Sequence, residues 1–281
     1  MKWKINMLLL TLFFLILIIS CQKKEIHQRQ NMIDVKTVIS LIDDNKIKEL
    51  DKLFDSGFNI NEPIDDENNT LLDYAIINNQ EQIAHYLISK GIDVNHVNKN
   101  GVSSFTRAIG RLSSNLLNSF LNHGLDYSHK NNKNMNYFEY MLYKRDYLTA
   151  LNFVSNPCVY DYFSKENNLF VYLIYYWDQE WGPTIGNFLL SKGYQFDNNI
   201  SYYFYAIDEY SIDALCWLDS IDIDKNKKYF EERYEMYFTP LEYAENKLLE
   251  MTNYLGKDYF YIDDDKELIT LNKIIHYLSK E

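Results

Sequence analysis

Few residues in this sequence have the type and spacing to do chemistry. The six histidines are His27, His85, His96, His123, His129 and His276. None forms a His-Glu-x-x-His pair, and none stands at zinc spacing from a cysteine, so no metal site is expected. His123 and His129 read as solvated loop residues rather than ligands. No glycine-rich phosphate loop and no Gly-x-Ser-x-Gly elbow occurs. The run Asp263-Asp264-Asp265 reads as a solvated acidic loop. The chain is therefore expected not to be an enzyme, to carry no cofactor and to act on no small-molecule substrate. What remains is one thiol, Cys21, at the end of an apolar run, and a wealth of rings, 25 Tyr and 4 Trp, suited to contact rather than catalysis.

Cys21 is positioned by the segment before it. Lys2 and Lys4 precede an uncharged run from Met7 to Ile19, apolar but for Thr11, which closes on Ile18-Ile19-Ser20-Cys21. As a helix at ~1.5 Å per residue this run reaches about 20 Å, short of the roughly 30 Å hydrocarbon core. A signal-peptide core fits better than a membrane span. The ending resembles a bacterial lipobox, with the branched Ile18, the small Ser20 and then the cysteine. The resemblance implies cleavage after residue 20, transfer of diacylglycerol to the Cys21 thiol, and a lipid-anchored protein in the bacterial cell envelope. Gln22 rather than Asp after the cysteine places it, by the enteric rule, at the outer membrane.

The rest of the chain is folded in composition, 47% apolar and 24% charged, and its 9 Gly and 4 Pro suit helices joined by tight loops. One phrase recurs: Gly57-Phe58-Asn59-Ile60-Asn61, Gly91-Ile92-Asp93-Val94-Asn95, Gly124-Leu125-Asp126-Tyr127 and Gly193-Tyr194-Gln195-Phe196. A period near 33 residues means a solenoid. Upstream stand Thr239-Pro240-Leu241-Glu242-Tyr243-Ala244 and Thr70-Leu71-Leu72-Asp73-Tyr74-Ala75, which with the glycine phrase are similar to the ankyrin repeat and its Thr-Pro-Leu-His-x-Ala opening.

Seven windows follow, opening at Thr37, Thr70, Ser103, Asn136, Asn168, Ser201 and Thr239. Two positions on, each is apolar: Ile39, Leu72, Phe105, Phe138, Phe170, Tyr203 and Leu241. Five positions on stand Ile42, Ala75, Ala108, Met141, Leu173, Ala206 and Ala244, on the same helical face. Leu53, Leu87, Phe120 and Leu189 each lie four residues before their glycine, which can end a second helix in the left-handed conformation. The predicted organisation is a signal peptide over 1–20, a lipidated polar linker over 21–33 and an all-α ankyrin-type solenoid over 34–281. The opening histidine is absent from every copy, so its hydrogen bonds must be remade or lost. The fifth window carries about four extra residues around Trp181-Gly182-Pro183-Thr184, read as a bulge between its helices, and the last an insertion over Gly256–Asp265. Cys158 and Cys216 fall two stacking steps apart, too far for a disulfide.

The resemblance implies a scaffold that binds another protein through its hairpin tips and the exposed ends of its first helices. Carried onto this sequence, those places hold Lys99 and Asn100 at a tip, and Arg111, Tyr143, Lys144, Tyr175, Tyr176 and Trp177 at helix ends. The aromatic members are expected to gather on adjacent repeats as contact anchors. A net charge of −12 makes a nucleic-acid partner unexpected and favours a basic partner. The alternative is a glycan- or peptidoglycan-binding surface that stacks the same rings on sugars.

Overall fold

The computed structural model describes residues 35–163, 169–255 and 266–280. The signal segment, Cys21 with its linker, and the insertion carrying Asp263, Asp264 and Asp265 lie outside the described residues. The chain divides into two compact units, one ending at Asp126 and one beginning at Tyr127.

The first unit is three helical pairs: α1 (35–43) with α2 (Ile47–Asp55), α3 (Leu71–Ile77) with α4 (Glu81–Ser89), and α5 (Ser104–Ala108) with α6 (Ser114–Asn122). First helices pack on first helices, α3 on α5, and second on second, α4 on α6. α3 and α5 start where their windows open, whereas α1 already runs from residue 35, ahead of Thr37. Thr70 and Ser103 hold extended backbone and accept a hydrogen bond from the N–H three residues on. The apolar positions named from the sequence then meet, with Leu72, Ala75, Phe105, Ala108, Leu87 and Phe120 all buried. Ile39 and Leu53 of the first repeat are only half-buried, and Val38 takes the buried place beside Ile42.

Left-handed residues terminate the helices. Gly57, Gly91 and Gly124 end the second helices at φ +100°, +85° and +81°. Within each pair the turn is closed the same way by Asn45, Asn79 or Gly110, all at positive φ. Asn79 donates its N–H to the Ile76 carbonyl at 3.1 Å and Gln80 to that of Ala75 at 2.8 Å, which satisfies carbonyls the helix end would leave bare.

The missing opening histidine is replaced by acid in three windows, at Asp73, Glu139 and Glu242. Asp73 is fully buried, caps its own helix by accepting from the Thr70 N–H at 2.9 Å, and reaches the next repeat. There its other oxygen accepts from the Ser104 hydroxyl at 3.0 Å and pairs with Arg107 Nε at 3.0 Å. Glu242 repeats the cap in the last window, accepting from the Thr239 N–H at 2.7 Å.

The second unit holds α7 (Tyr137–Tyr143), α8 (Tyr147–Ser155), α9 (Pro157–Phe163), α10 (Leu169–Tyr175), α11 (Trp181–Ser191), α12 (Tyr202–Asp208), α13 (Ile212–Ser220), strands β1 (Tyr229–Glu231) and β2 (Met236–Phe238), α14 (Pro240–Leu255) and α15 (Lys266–Leu278). The stacking rule continues: α7, α10, α12 and α14 form one layer, and α8 packs on α11. The copy without its glycine takes another path. After α8, Asn156 is extended and its side chain accepts from the Cys158 N–H at 2.9 Å, starting α9 where other repeats turn into a hairpin. Cys158 in α9 and Cys216 in α13 are exposed free thiols.

In the fifth repeat the extra residues are not a separate bulge. They lengthen the turn, now 176–180, and add to α11, whose 11 residues begin at Trp181 with Gly182 and Pro183 in its first turn. Pro183 is tolerated there because the first N–H groups of a helix lack intrahelical partners. The two strands pair antiparallel in the register Tyr229 with Phe238 and Phe230 with Tyr237, making a hairpin before the last window. At the end of the chain α15 packs on α14. Asp219 of α13 accepts from Tyr203 and, at 2.6 Å, from Tyr277 of α15, which ties the final helix to the sixth repeat.

Candidate interaction surface

The residues expected to make contacts sort by what already holds them. In the first unit the hairpin tips are bridged to each other. Lys99 donates its N–H to the Glu67 carbonyl at 2.9 Å and its Nζ to that of Asp66 at 2.6 Å, and Asn100 donates to the Glu67 carboxylate at 3.3 Å. Asp65, Asn98 and Asn131, 33 residues apart, close the tips by accepting from the N–H groups two and four residues on. His96 belongs to this scaffold, with Nε2 2.7 Å from the Asn68 carbonyl oxygen. Arg111 is exposed at the turn after α5, within 3.5 Å of the Ile77 carbonyl oxygen, and Ile77 is 47% exposed beside it.

In the second unit the first-helix ends bring three tyrosines together. Tyr143 closes α7, and Tyr175 and Tyr176 stand where α10 gives way to its long turn. Tyr143 meets Tyr176 edge-on at 6.0 Å, and Tyr176 meets Tyr175 at 4.8 Å, geometries favoured by the ring quadrupole. Tyr143 and Tyr175 remain 42% and 48% exposed. Burial pushes the Tyr176 hydroxyl up to about 12, so this ring stays neutral. Lys133 lies 4.4 Å above the Tyr143 ring and donates to its hydroxyl at 2.9 Å, which draws the hydroxyl below the usual phenol range. Lys144 is exposed, 5.9 Å from the Tyr140 ring.

Trp177 takes a different part. It is half-buried, its ring 5.3 Å from that of Trp217, against the backbone of Gly182. It lines a cleft of about 410 Å³ between the turns of the fifth and sixth repeats, with Tyr175, Gln179, Glu209, Tyr210 and Asp213. Burial, then the neighbouring Asp208, raises the Glu209 carboxyl above its usual range. The structure thus brings Tyr143, Tyr175 and Tyr176 into one surface, sets Trp177 beneath the adjoining cleft, and leaves Lys99, Asn100 and Arg111 in the other unit.

The two histidines at the third repeat's end differ in setting. His123 is exposed with Nδ1 2.8 Å from the Ser119 carbonyl oxygen, whereas His129, expected in solvent, is half-buried against Tyr137. Among the described residues no group of three metal-ligating side chains gathers, and no helix is long and apolar enough to cross a membrane.

One recurrence on the first helices, half-buried or exposed in most copies and buried at Tyr243, was missed in the sequence. Four residues after their openings stand Tyr74, Tyr140, Tyr172, Tyr205 and Tyr243, so tyrosine recurs on one face of successive first helices. Tyr140 stacks on Tyr143 at 5.9 Å, while Tyr205 is 37% exposed. Aligning all seven windows at that position would have found it.

Stacked helix–turn–helix repeats joined by hairpin tips and tight turns define a repeat architecture. Comparison with known proteins identifies which one. Residues 38–88 and 72–121 match the family model described as ankyrin repeats (many copies). The crystal structure of the ankyrin repeat domain of Bcl-3 is similar at 13% identity, covering 73% of this chain and 92% of that one, with a TM-score of 0.52. The human ASB11 ankyrin repeat domain is 12% identical, covering 84% of this chain and 96% of that one, with a TM-score of 0.49. Among curated proteins none matches. Residues 38–121 thus match ankyrin repeats, and the chain has the ankyrin-repeat fold.

Proposed function

We propose that the chain is a lipid-tethered interaction scaffold of the bacterial envelope, most simply at the outer membrane, which holds a protein partner on the surface formed by Tyr143, Tyr175 and Tyr176. The observation that carries the binding half is the ring cluster itself. Three tyrosines on the ends of adjacent first helices, two of them more than two-fifths exposed, meet beside an open cleft. Rings held by their neighbours lose little rotamer freedom on binding, which is why such residues dominate interface energies.

The tether rests on the Met7–Ile19 run and the Ile18-Ile19-Ser20-Cys21 ending. One acyl chain holds a protein weakly and two or three hold it firmly, at ~0.8 kcal/mol per buried CH₂. Cys21→Ala is expected to move the protein from the membrane to the soluble fraction and to abolish incorporation of radiolabelled palmitate. Labelling that persists in the variant would refute the anchor.

For binding, the full chain in detergent should retain its partner from envelope extract, and Tyr175→Ala/Tyr176→Ala should weaken that complex by about thirtyfold, the loss of roughly 2 kcal/mol of anchor energy. Thermal melting of the variant distinguishes lost contact from lost fold. Retention unchanged by the substitutions, or capture of purified cell wall in place of protein, would overturn this assignment.

A further inference from the structure

A second surface lies at the other side of the sixth repeat. The β1–β2 hairpin sets Phe230 beside Tyr237, ring centroids 5.2 Å apart, and leaves them 51% and 64% exposed. Opposite stands Tyr205 of α12, and between Tyr205 and Phe230 runs an open groove of about 420 Å³, whose lining includes Phe204, Asp208, Glu231 and Glu232. That volume lies within the roughly 300–1,000 Å³ range of ligand clefts. Rings of Tyr205 and Phe230 line it, and the charged groups on its walls, Asp208, Glu231 and Glu232, are all acidic, beside the neutral Asn199 and Ser201.

The cations nearby already have partners. Lys247 pairs with Asp208 on the groove wall at 2.6 Å, Lys228 with Glu242 at 3.0 Å, and Arg233 lies against the Tyr234 hydroxyl. No ion pair reaches Glu231 or Glu232 among the described residues; the recorded bond to the Glu231 carboxylate is from the Arg233 backbone N–H, at 3.4 Å. The fold thus leaves two carboxylates beside two ring faces, in a chain whose net charge is −12. A cation held between them would gain twice, by charge pairing with the carboxylates and by lying over an aromatic face, which attracts an ammonium or guanidinium within about 6 Å. An apolar side chain on either side of that cation would cover the exposed Phe230 and Tyr237.

We propose that the groove between Tyr205 and Phe230, with Glu231 and Glu232 on its wall, docks an extended protein segment in which lysine or arginine alternates with apolar residues. In an extended chain successive side chains point to opposite sides, so alternation lets cations meet the carboxylates while apolar groups meet the hairpin rings. This site is separate from the Tyr175 surface and does not depend on it.

The test uses the full chain in detergent and a fluorescently labelled eight-residue peptide of alternating lysine and leucine, followed by anisotropy. Saturable binding is expected. Glu231→Gln/Glu232→Gln and Phe230→Ala should each weaken it by about tenfold. Asp55→Asn/Asp66→Asn, which removes the same charge elsewhere, and Tyr175→Ala/Tyr176→Ala should change it by less than about twofold. The side chains altered at the groove are on the surface, so a melting temperature close to that of the parent is the control for folding. Absence of binding, equal binding of a glutamate–leucine peptide, equal loss in Asp55→Asn/Asp66→Asn, or binding of chitohexaose in place of the peptide would overturn the proposal.

Discussion

Asp73→Ala is expected to lower the urea midpoint of unfolding more than any surface substitution, through a loss of about 3 kcal/mol. The carboxylate is buried and has partners on both oxygens. One accepts from the Thr70 N–H and hydroxyl at 2.9 and 3.1 Å, the other from Ser104 at 3.0 Å with Arg107 beside it at the same distance. Removing an N-terminal cap alone costs about 1 kcal/mol. Removing one member of a buried ion pair costs roughly 3–5 kcal/mol, because its partner is left charged and unpaired. Arg107 is 22% exposed and keeps its bond to Asn69 Oδ1 at 2.8 Å, so the low end of that range applies. Asp73→Asn keeps an acceptor but no charge and should fall between, near 1–2 kcal/mol. In a double-mutant cycle, Arg107→Ala should make Asp73→Ala less costly by more than about 0.5 kcal/mol, since the two share one network. Additive losses would show that Asp73 acts only as a cap.

That network explains where sequence reasoning stopped. The repeat was legible because glycine, opening and apolar positions share one period, and each reflects a separate physical demand: a left-handed helix end, a cap and a buried face. The absent histidine and the acid standing in its place were legible, but the network that acid makes was not. Nothing in the spacing of Asp73, Ser104 and Arg107 says that they meet, because the contact depends on how far one repeat is rotated on the next. The turns within each pair were equally hidden. Asn45, Asn79, Arg145 and Tyr210 all sit at positive φ, and only the asparagines advertise it. Arginine and tyrosine are held there by the helix-end hydrogen bonds that follow, as when Asp146 donates to the Met141 carbonyl at 2.9 Å.

The surface was legible in the same uneven way. Tyr143, Tyr175 and Tyr176 could be gathered from register alone, since each falls at the end of a first helix. Trp177 is one residue further on, and the longer turn of the fifth repeat rotates it under the next repeat's second helix. The Phe230–Tyr237 pair was out of reach, because it depends on two strands pairing across a turn that carries no glycine. The folded chain thus separates its rings into ones that face outward and wedges that lock neighbouring repeats.

Trp217 is the largest wedge, and Trp217→Ala should cost about 3–5 kcal/mol, as for other buried tryptophans cut to alanine. The ring is 5% exposed and is penned in by Phe170 at 6.1 Å, Trp177 at 5.3 Å and Phe196 at 6.0 Å, with its Nε1 donating to Asn187 at 3.0 Å. It lies directly on the backbone of α11 at Gly186, where an added Cβ would overlap Trp217 Cζ2 and stand 2.8 Å from Cη2. A glycine inside a helix gives up roughly 0.5–1 kcal/mol against alanine, so Gly186 is there for the ring. Two opposing effects then set the sign of Gly186→Ala. With Trp217 present, overpacking of about 1–3 kcal/mol exceeds the helix gain, and the protein is destabilised. With Trp217→Ala the clash is gone, the helix gain of up to about 1 kcal/mol remains, and the same substitution becomes stabilising. Chemical denaturation of the four proteins in this cycle reads that reversal directly. A Gly186→Ala that destabilises equally in both backgrounds would mean that something other than the Trp217 ring occupies the space above Gly186.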